Sequence, residues 1–309
     1  MANKGIRIGV DVGGTKIEAL AIAADGSELL RYRVPTPRGD YNATIGSVAA
    51  LVSRLEQELL THATVGVGIP GTITRETGLV KNANSVWLNG RPFDRDLAKA
   101  LARPVRCAND ANCFAVSEAS DGAAAGKSVV FAVILGTGCG GGIALNGHVH
   151  AGLNGVAGEW GHNPLPWPRA GEYPGPACYC GRNGCLETWI SGTGFAQDHQ
   201  RVNGGTMTGE QIVAASERGD AAAMATMARH EERTARALAH VVNLLDPDVI
   251  VIGGGLSRIQ SLYANLPALL APLVFGGLCN TPIVQAKHGD SSGVRGAAWL
   301  WSMDEAIGI

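Results

Sequence analysis

Ile6-Arg-Ile-Gly-Val-Asp11-Val-Gly-Gly-Thr-Lys16 decides the fold. A compact β-branched run ends in an aspartate, Gly13-Gly14 turns the chain, and residues 17–23 form a second strand that stops at Asp25-Gly26, a hairpin signal. The pattern returns about 120 residues later: residues 129–135 run into Gly136-Thr137-Gly138, and residues 142–145 end at Asn146-Gly147. Two such openings predict two related α/β domains facing each other across a cleft.

Helices fill the intervals. Ile45, Val48, Leu51, Val52, Leu55 and Leu59 stand at helical spacing, Thr208 and Gln211 form a capping box, and residues 221–245 read as one helix stopped by Asp246-Pro247. Residues 248–252 are a buried strand before Gly253-Gly254-Gly255, and Met224 and Met227 read as core. The expected division is a smaller N-terminal α/β domain over residues 1–120, completed by a C-terminal helix at about 294–309, and a larger domain over 121–293, joined by a hinge.

Composition narrows the function. The 309 residues carry 25 basic and 27 acidic side chains, so no electrostatic footprint for nucleic acid or an anionic membrane is expected. The 46% hydrophobic content excludes disorder. The 43 glycines, about twice the usual ~7% share, lack collagen's period and must shape loops and close contacts. Met1-Ala-Asn-Lys leads straight into the first strand, no run suits a membrane span, and seven cysteines include three within eight positions. A reduced, cytoplasmic protein with clustered metal-binding thiols is expected.

Four motifs compete with plainer readings. Asp11-Val-Gly-Gly-Thr-Lys16 can bring backbone N–H groups to phosphate oxygens with Thr15 and Lys16 adding donors; the plainer reading is a Gly-Gly hairpin with a solvated lysine. Glycines at 9, 13 and 14 do not make a dinucleotide fingerprint. Gly122-Ala-Ala-Ala-Gly-Lys-Ser128 is one residue short of a Walker A loop, precedes a strand, and reads as a polar turn. Asn109-Asp110 lies where a strand ends and a helix begins; a helix dipole that keeps Asp110 ionised suits a base accepting a hydroxyl proton, and the rival is a simple N-cap. His162, Cys178, Cys180 and Cys185 give H-x15-C-x-C-x4-C, the ligand set of a closed structural zinc site; a redox Cys-x-Cys pair or unrelated buried thiols are the rivals. Glu159 and Glu187 flank that set, where a pinned loop would place two carboxylates suited to sugar hydroxyls.

Together the segments resemble the ROK family of sugar kinases, within the actin and hexokinase-like ATPase superfamily. The resemblance rests on residues 11–16, Gly68-Ile-Pro-Gly71, Asn109-Asp110-Ala-Asn112, Leu135-Gly-Thr-Gly138, Gly158-Glu-Trp-Gly-His162, Cys178-Tyr-Cys-Gly-Arg-Asn-Gly-Cys185-Leu-Glu187 and Gly253-Gly-Gly255. Residues 81–90, 161–167 and 287–296 look most like the fructokinase (mannofructokinase) branch.

The resemblance implies two actin/hexokinase-like (ribonuclease H-like) domains with a structural zinc loop. It implies Asp110 as catalytic base towards the sugar 6-hydroxyl, and Gly71, Asn84, Asn109, Glu159, His162 and Glu187 as sugar-site residues. Asp11, Gly13, Gly14, Thr15 and Lys16, with Gly136, Thr137, Gly138, Gly140, Gly141 and Gly142, would cradle ATP phosphates; Gly254 and Gly255 would lie near the nucleotide and Asp11 near Mg2+. The implied partners are a hexose, fructose first, then mannose, glucose or N-acetylglucosamine; ATP; structural Zn2+; and a second copy in a homodimer. Sugar-responsive repressors of the same family carry a DNA-binding helix-turn-helix before the first strand, and about five residues precede Ile6 here.

Overall fold

The computed structural model describes residues 5–307. The chain divides into one unit made of Met1–Gly126, Gly142–Ala157 and Asp290–Ile309 and another made of Lys127–Gly141 and Gly158–Gly289.

The first unit holds β1 (Arg7–Val12), β2 (Lys16–Ile22), β3 (Glu28–Pro35), β4 (Thr64–Ile69) and, after the short ribbon β5 (Thr72–Ile73) and β6 (Val80–Lys81), β7 (Val105–Asn109). The sheet order is β3-β2-β1-β4-β7, with β1–β2 and β2–β3 antiparallel and β1–β4 and β4–β7 parallel. Helices Tyr41–Leu59 and Phe93–Leu101 make the parallel crossovers. Their apolar stripes meet Ile8, Val10, Val65 and Val67 in the larger core, while Leu20 and Ile22 pack with Val294 and Ala298 of helix Ser292–Ala298 on another face. β1 and β4 are buried on both faces, as parallel strands covered on both sides are. Register sets Asp11 opposite Gly68 and Ile69 opposite Asn109, so three adjacent parallel strands end at one edge of the sheet. That edge is where α/β sheets bind ligands.

The second sheet repeats the plan. It holds β8 (Val129–Leu135), β9 (Cys139–Leu145), β10 (His148–Val149), β11 (Val249–Gly253) and β12 (Ile283–Gln285), in the order β10-β9-β8-β11-β12. β8, β9, β10, β11 and β12 thus stand in the order of β1, β2, β3, β4 and β7, the duplication that the two glycine openings announce. β11 is parallel to β8 and β12. Helix Ala221–Leu245 spans the range predicted from periodicity: Asp220 caps its first turn, and Asp246 ends it in the left-handed region at φ 44. The Thr208–Gln211 capping box is present. Met224 is a correction: it is half exposed, and only Met227 is buried. Segment 168–177, for which the sequence carries no element signal, is held by Glu172, which accepts from the Arg169 N–H at 2.8 Å, Arg233 Nε at 2.8 Å and Arg236 Nη2 at 2.9 Å. Burial alone would raise that carboxyl, but these hydrogen bonds hold it below its usual range.

Candidate active site

At the edge of the first sheet, Asp11, Gly13, Gly14, Asn84 and Asp110 line a cavity of about 560 Å³ with Arg38, Ser85 and Trp87. Asn109, extended at φ −63 and ψ 151, is the N-cap of helix Asp110–Ser120. Its Oδ1 accepts from the Ala111 N–H at 2.9 Å, and its Nδ2 donates to the Gly71 carbonyl at 3.3 Å. Asp110 is therefore the first helical residue and not the cap. Its Oδ1 shares the same Ala111 N–H at 2.7 Å. The helix terminus is not the largest influence on Asp110: desolvation by the surrounding protein pushes its carboxyl above the usual range, against the pull of that N–H. Gly71 sits at φ +124, and a Cβ there would lie 2.6 Å from the Lys81 carbonyl, so only glycine serves.

Asp11 is pushed up to about 6, first by burial and then by the negative charges of Asp110 and Glu18. Among the described residues no hydrogen bond or ion pair satisfies its carboxylate. Paired, unneutralised oxygen donors are the chemistry that a hard divalent cation such as Mg2+ takes. Thr15 and Lys16 lie outside the cavity lining. Lys16 Nζ is 3.3 Å from Glu18, whose buried carboxylate also binds Arg31 and Arg33. Arg38, with no signal in the motif, donates from Nε to the Gly14 carbonyl at 2.9 Å.

In the second unit, Gly136, Thr137 and Gly255 line a cavity of about 930 Å³ with Thr193, Gln197 and Arg258, which carry no local pattern, and with Thr208, which the sequence marks only as a helix cap. The Gly192 N–H donates to the Gly136 carbonyl at 2.7 Å and Thr193 Oγ1 to the Thr137 carbonyl at 2.9 Å. Gly138, Gly140, Gly141, Gly142 and Gly254 are absent from that lining. Several of them permit close packing instead. A Cβ at Gly138 would stand 2.7 Å from Glu187 Oε2, which accepts from the Cys139 N–H at 3.0 Å. Trp160 Nε1 donates to the Gly140 carbonyl at 2.9 Å. Glu187 and Trp160 thus tie this turn to the segments flanking the cysteine cluster, and Glu159 is exposed.

The cluster is assembled as the spacing predicts. One ligand atom each from His162, Cys178, Cys180 and Cys185 lies within 4.8 Å of every other. Zn–S bonds of about 2.3 Å imply tetrahedral edges of about 3.8 Å between sulfurs and about 3.6 Å from sulfur to nitrogen. Cys180 Sγ and Cys185 Sγ are 3.6 Å apart, as are Cys178 Sγ and His162 Nδ1. The four residues fit a tetrahedral metal. His162 Nε2 meets the Tyr179 hydroxyl at 3.0 Å, which fixes the ring. The Arg182 N–H pulls the Cys180 thiol down to about 6, towards the thiolate that a metal requires.

No described helix is long and apolar enough to cross a membrane. In comparisons with known proteins, the chain is 40% identical over 301 residues to the N-acetyl-D-glucosamine kinase of Haemophilus influenzae (strain 86-028NP), covering 95% of this chain and 98% of that protein. The ROK hexokinase from Thermus thermophilus matches with a TM-score of 0.84 at 30% identity, over 96% of this chain and 97% of that one. A ROK family glucokinase from Streptomyces griseus, solved with glucose and AMPPNP, matches with a TM-score of 0.74 at 27% identity, over 95% and 98% of the two chains. The ROK family model matches residues 7–304, and the chain belongs to the ROK family.

Proposed function

We propose that this chain is an ATP-dependent hexose kinase that phosphorylates the sugar 6-hydroxyl. The observation that carries the reading is the placing of Asp110: Asn109 is the helix cap, and the Asp110 carboxylate, one oxygen of which shares the Ala111 N–H, lines a cavity that also holds Asp11 and the Gly13-Gly14 turn. Asp110 takes the proton of the 6-hydroxyl as that oxygen bonds to the γ-phosphorus. The bond from the γ-phosphorus to the β–γ bridging oxygen breaks, and its electron pair leaves on ADP. Burial raises that carboxyl above its usual range, which makes the carboxylate a stronger proton acceptor. Asp11 would hold Mg2+, which neutralises phosphate charge when bound. Asn84, Asn109 and Gly71 would orient the sugar, and on the family resemblance Glu159, His162 and Glu187 serve as further sugar contacts. Gly136, Thr137 and Gly255 would take the nucleotide. Zinc on His162, Cys178, Cys180 and Cys185 would pin the loop, and a homodimer and a cytoplasmic location complete the reading.

Two sugars have specific support. The names of the relatives, led by the protein 40% identical across nearly the whole chain, favour N-acetyl-D-glucosamine over the fructose expected from sequence. Residues 81–90, 161–167 and 287–296 favour D-fructose, with mannose beside it. Phosphorylation of fructose, mannose, glucose and N-acetyl-D-glucosamine, followed in parallel by coupled ADP release, separates them. Turnover of none of the four would remove the kinase reading.

A further inference from the structure

A transferring phosphoryl group carries more negative charge than one Mg2+ offsets, and the motif's own lysine is engaged elsewhere. Lys16 pairs with Glu18, on the same side of β2 two residues along. Among the residues lining the first-unit cavity, Arg38 is the one cation. It follows β3 through Thr36, whose Oγ1 donates to the Gly13 carbonyl at 2.7 Å, while Arg38 Nε donates to the next carbonyl, that of Gly14, at 2.9 Å. Two successive carbonyls of the turn therefore fix where this arginine stands. No described residue pairs with its terminal amino groups.

We propose that Arg38 is a catalytic residue, its terminal amino groups donating to the non-bridging oxygens of the phosphoryl group during transfer from ATP to the sugar. The inference rests on the kinase reading above. A planar guanidinium anchored through Nε keeps two parallel N–H donors for phosphate oxygens, a geometry that an ammonium cannot reproduce. The donors matter most as charge spreads over those oxygens in flight. The proton still goes to Asp110 and the leaving electron pair to ADP; Arg38 exchanges neither.

The test uses the full chain with the sugar that wild type turns over. Arg38→Ala should lower kcat by about 10²–10³-fold, with KM for the sugar changed by less than about twofold. Arg38→Lys should recover only part of the loss, and dilute guanidinium should raise the rate of Arg38→Ala but not of wild type. Calorimetry separates transition state from ground state. Affinity for AMPPNP should stay near wild type in Arg38→Ala, while affinity for ADP with aluminium fluoride and sugar falls in step with kcat. Wild-type kcat in Arg38→Ala, or AMPPNP affinity falling as far as kcat/KM, would overturn the proposal and leave Arg38 as an anchor of the turn. A wild-type chain that turns over no hexose removes the kinase reading and this one with it; a working wild type beside an equally fast Arg38→Ala removes this one alone.

Discussion

Asp11→Asn should stabilise the protein while disabling it. Asp11 ionises at about 6 in the fold, against an ordinary value of 3.8. Moving from 3.8 to about 6 corresponds to about 3 kcal/mol at about 1.36 kcal/mol per pH unit. Because the folded value is the higher one, the native state binds the extra proton, and stability falls as pH rises from about 3.8 to about 6. Above that window the whole cost is present; below it, none. An amide of the same shape carries no charge, so Asp11→Asn should match wild type near pH 4 and exceed it by up to about 3 kcal/mol at pH 8. At 2–4 °C per kcal/mol, that is about 6–12 °C in Tm. The assay is thermal unfolding of both proteins across this range, without nucleotide or divalent metal, with kcat/KM measured alongside. Wild-type kcat/KM should decline as pH falls through about 6, and the variant should be nearly inactive throughout. A Tm difference that is flat with pH, or a variant less stable than wild type at pH 8, would refute the reasoning.

Gly14→Val should fold normally, because a Cβ there meets only Ser85 Oγ at 3.8 Å and the backbone lies outside the left-handed region. Its branched side chain takes space beside the turn where the phosphates must approach, so ATP affinity by calorimetry should drop by about tenfold or more; unchanged affinity would move the phosphates elsewhere. Protein purified without added metal should contain one zinc per chain, with the metal lost in Cys180→Ala and stability and sugar affinity lowered together. Elemental analysis that finds no zinc, or zinc retained in the variant, would contradict the assignment.

The parts legible in the sequence are those set by local chemistry. Gly13-Gly14 and Gly136-Thr137-Gly138 marked the two sheets because a strand, a glycine turn and a second strand need no distant partner to be read. The helix over 221–245 was bounded by its own periodicity and by Asp246-Pro247. The cysteine cluster was visible because its ligands fall within 24 residues. Long-range choices were hidden. Lys16 was assigned from the motif, yet strand alternation puts it beside Glu18, a pairing the sequence did contain. Arg38 sits in a short turn with no period and gains meaning only from the Gly14 carbonyl 24 positions away. Asn109 Oδ1 and Asp110 Oδ1 both reach the Ala111 N–H, and it is the extended backbone of Asn109 that makes it the cap, a distinction that local sequence does not carry. Segment 168–177 owes its path to Arg233 and Arg236, about 60 residues further on.

Asp110 is the group on which the proposed phosphoryl transfer to the sugar depends. Asp110→Asn keeps the side chain's shape and its hydrogen bond from Ala111 is not essential, since Asn109 already caps the helix. The amide can still bind a hydroxyl but cannot take its proton. Steady-state kinetics with the preferred hexose and ATP should show kcat lowered by about 10²–10⁴-fold, with KM for the sugar little changed and Tm at or above that of wild type. A variant that phosphorylates the sugar at near wild-type kcat would contradict the account, leaving Asp110 without the role of base.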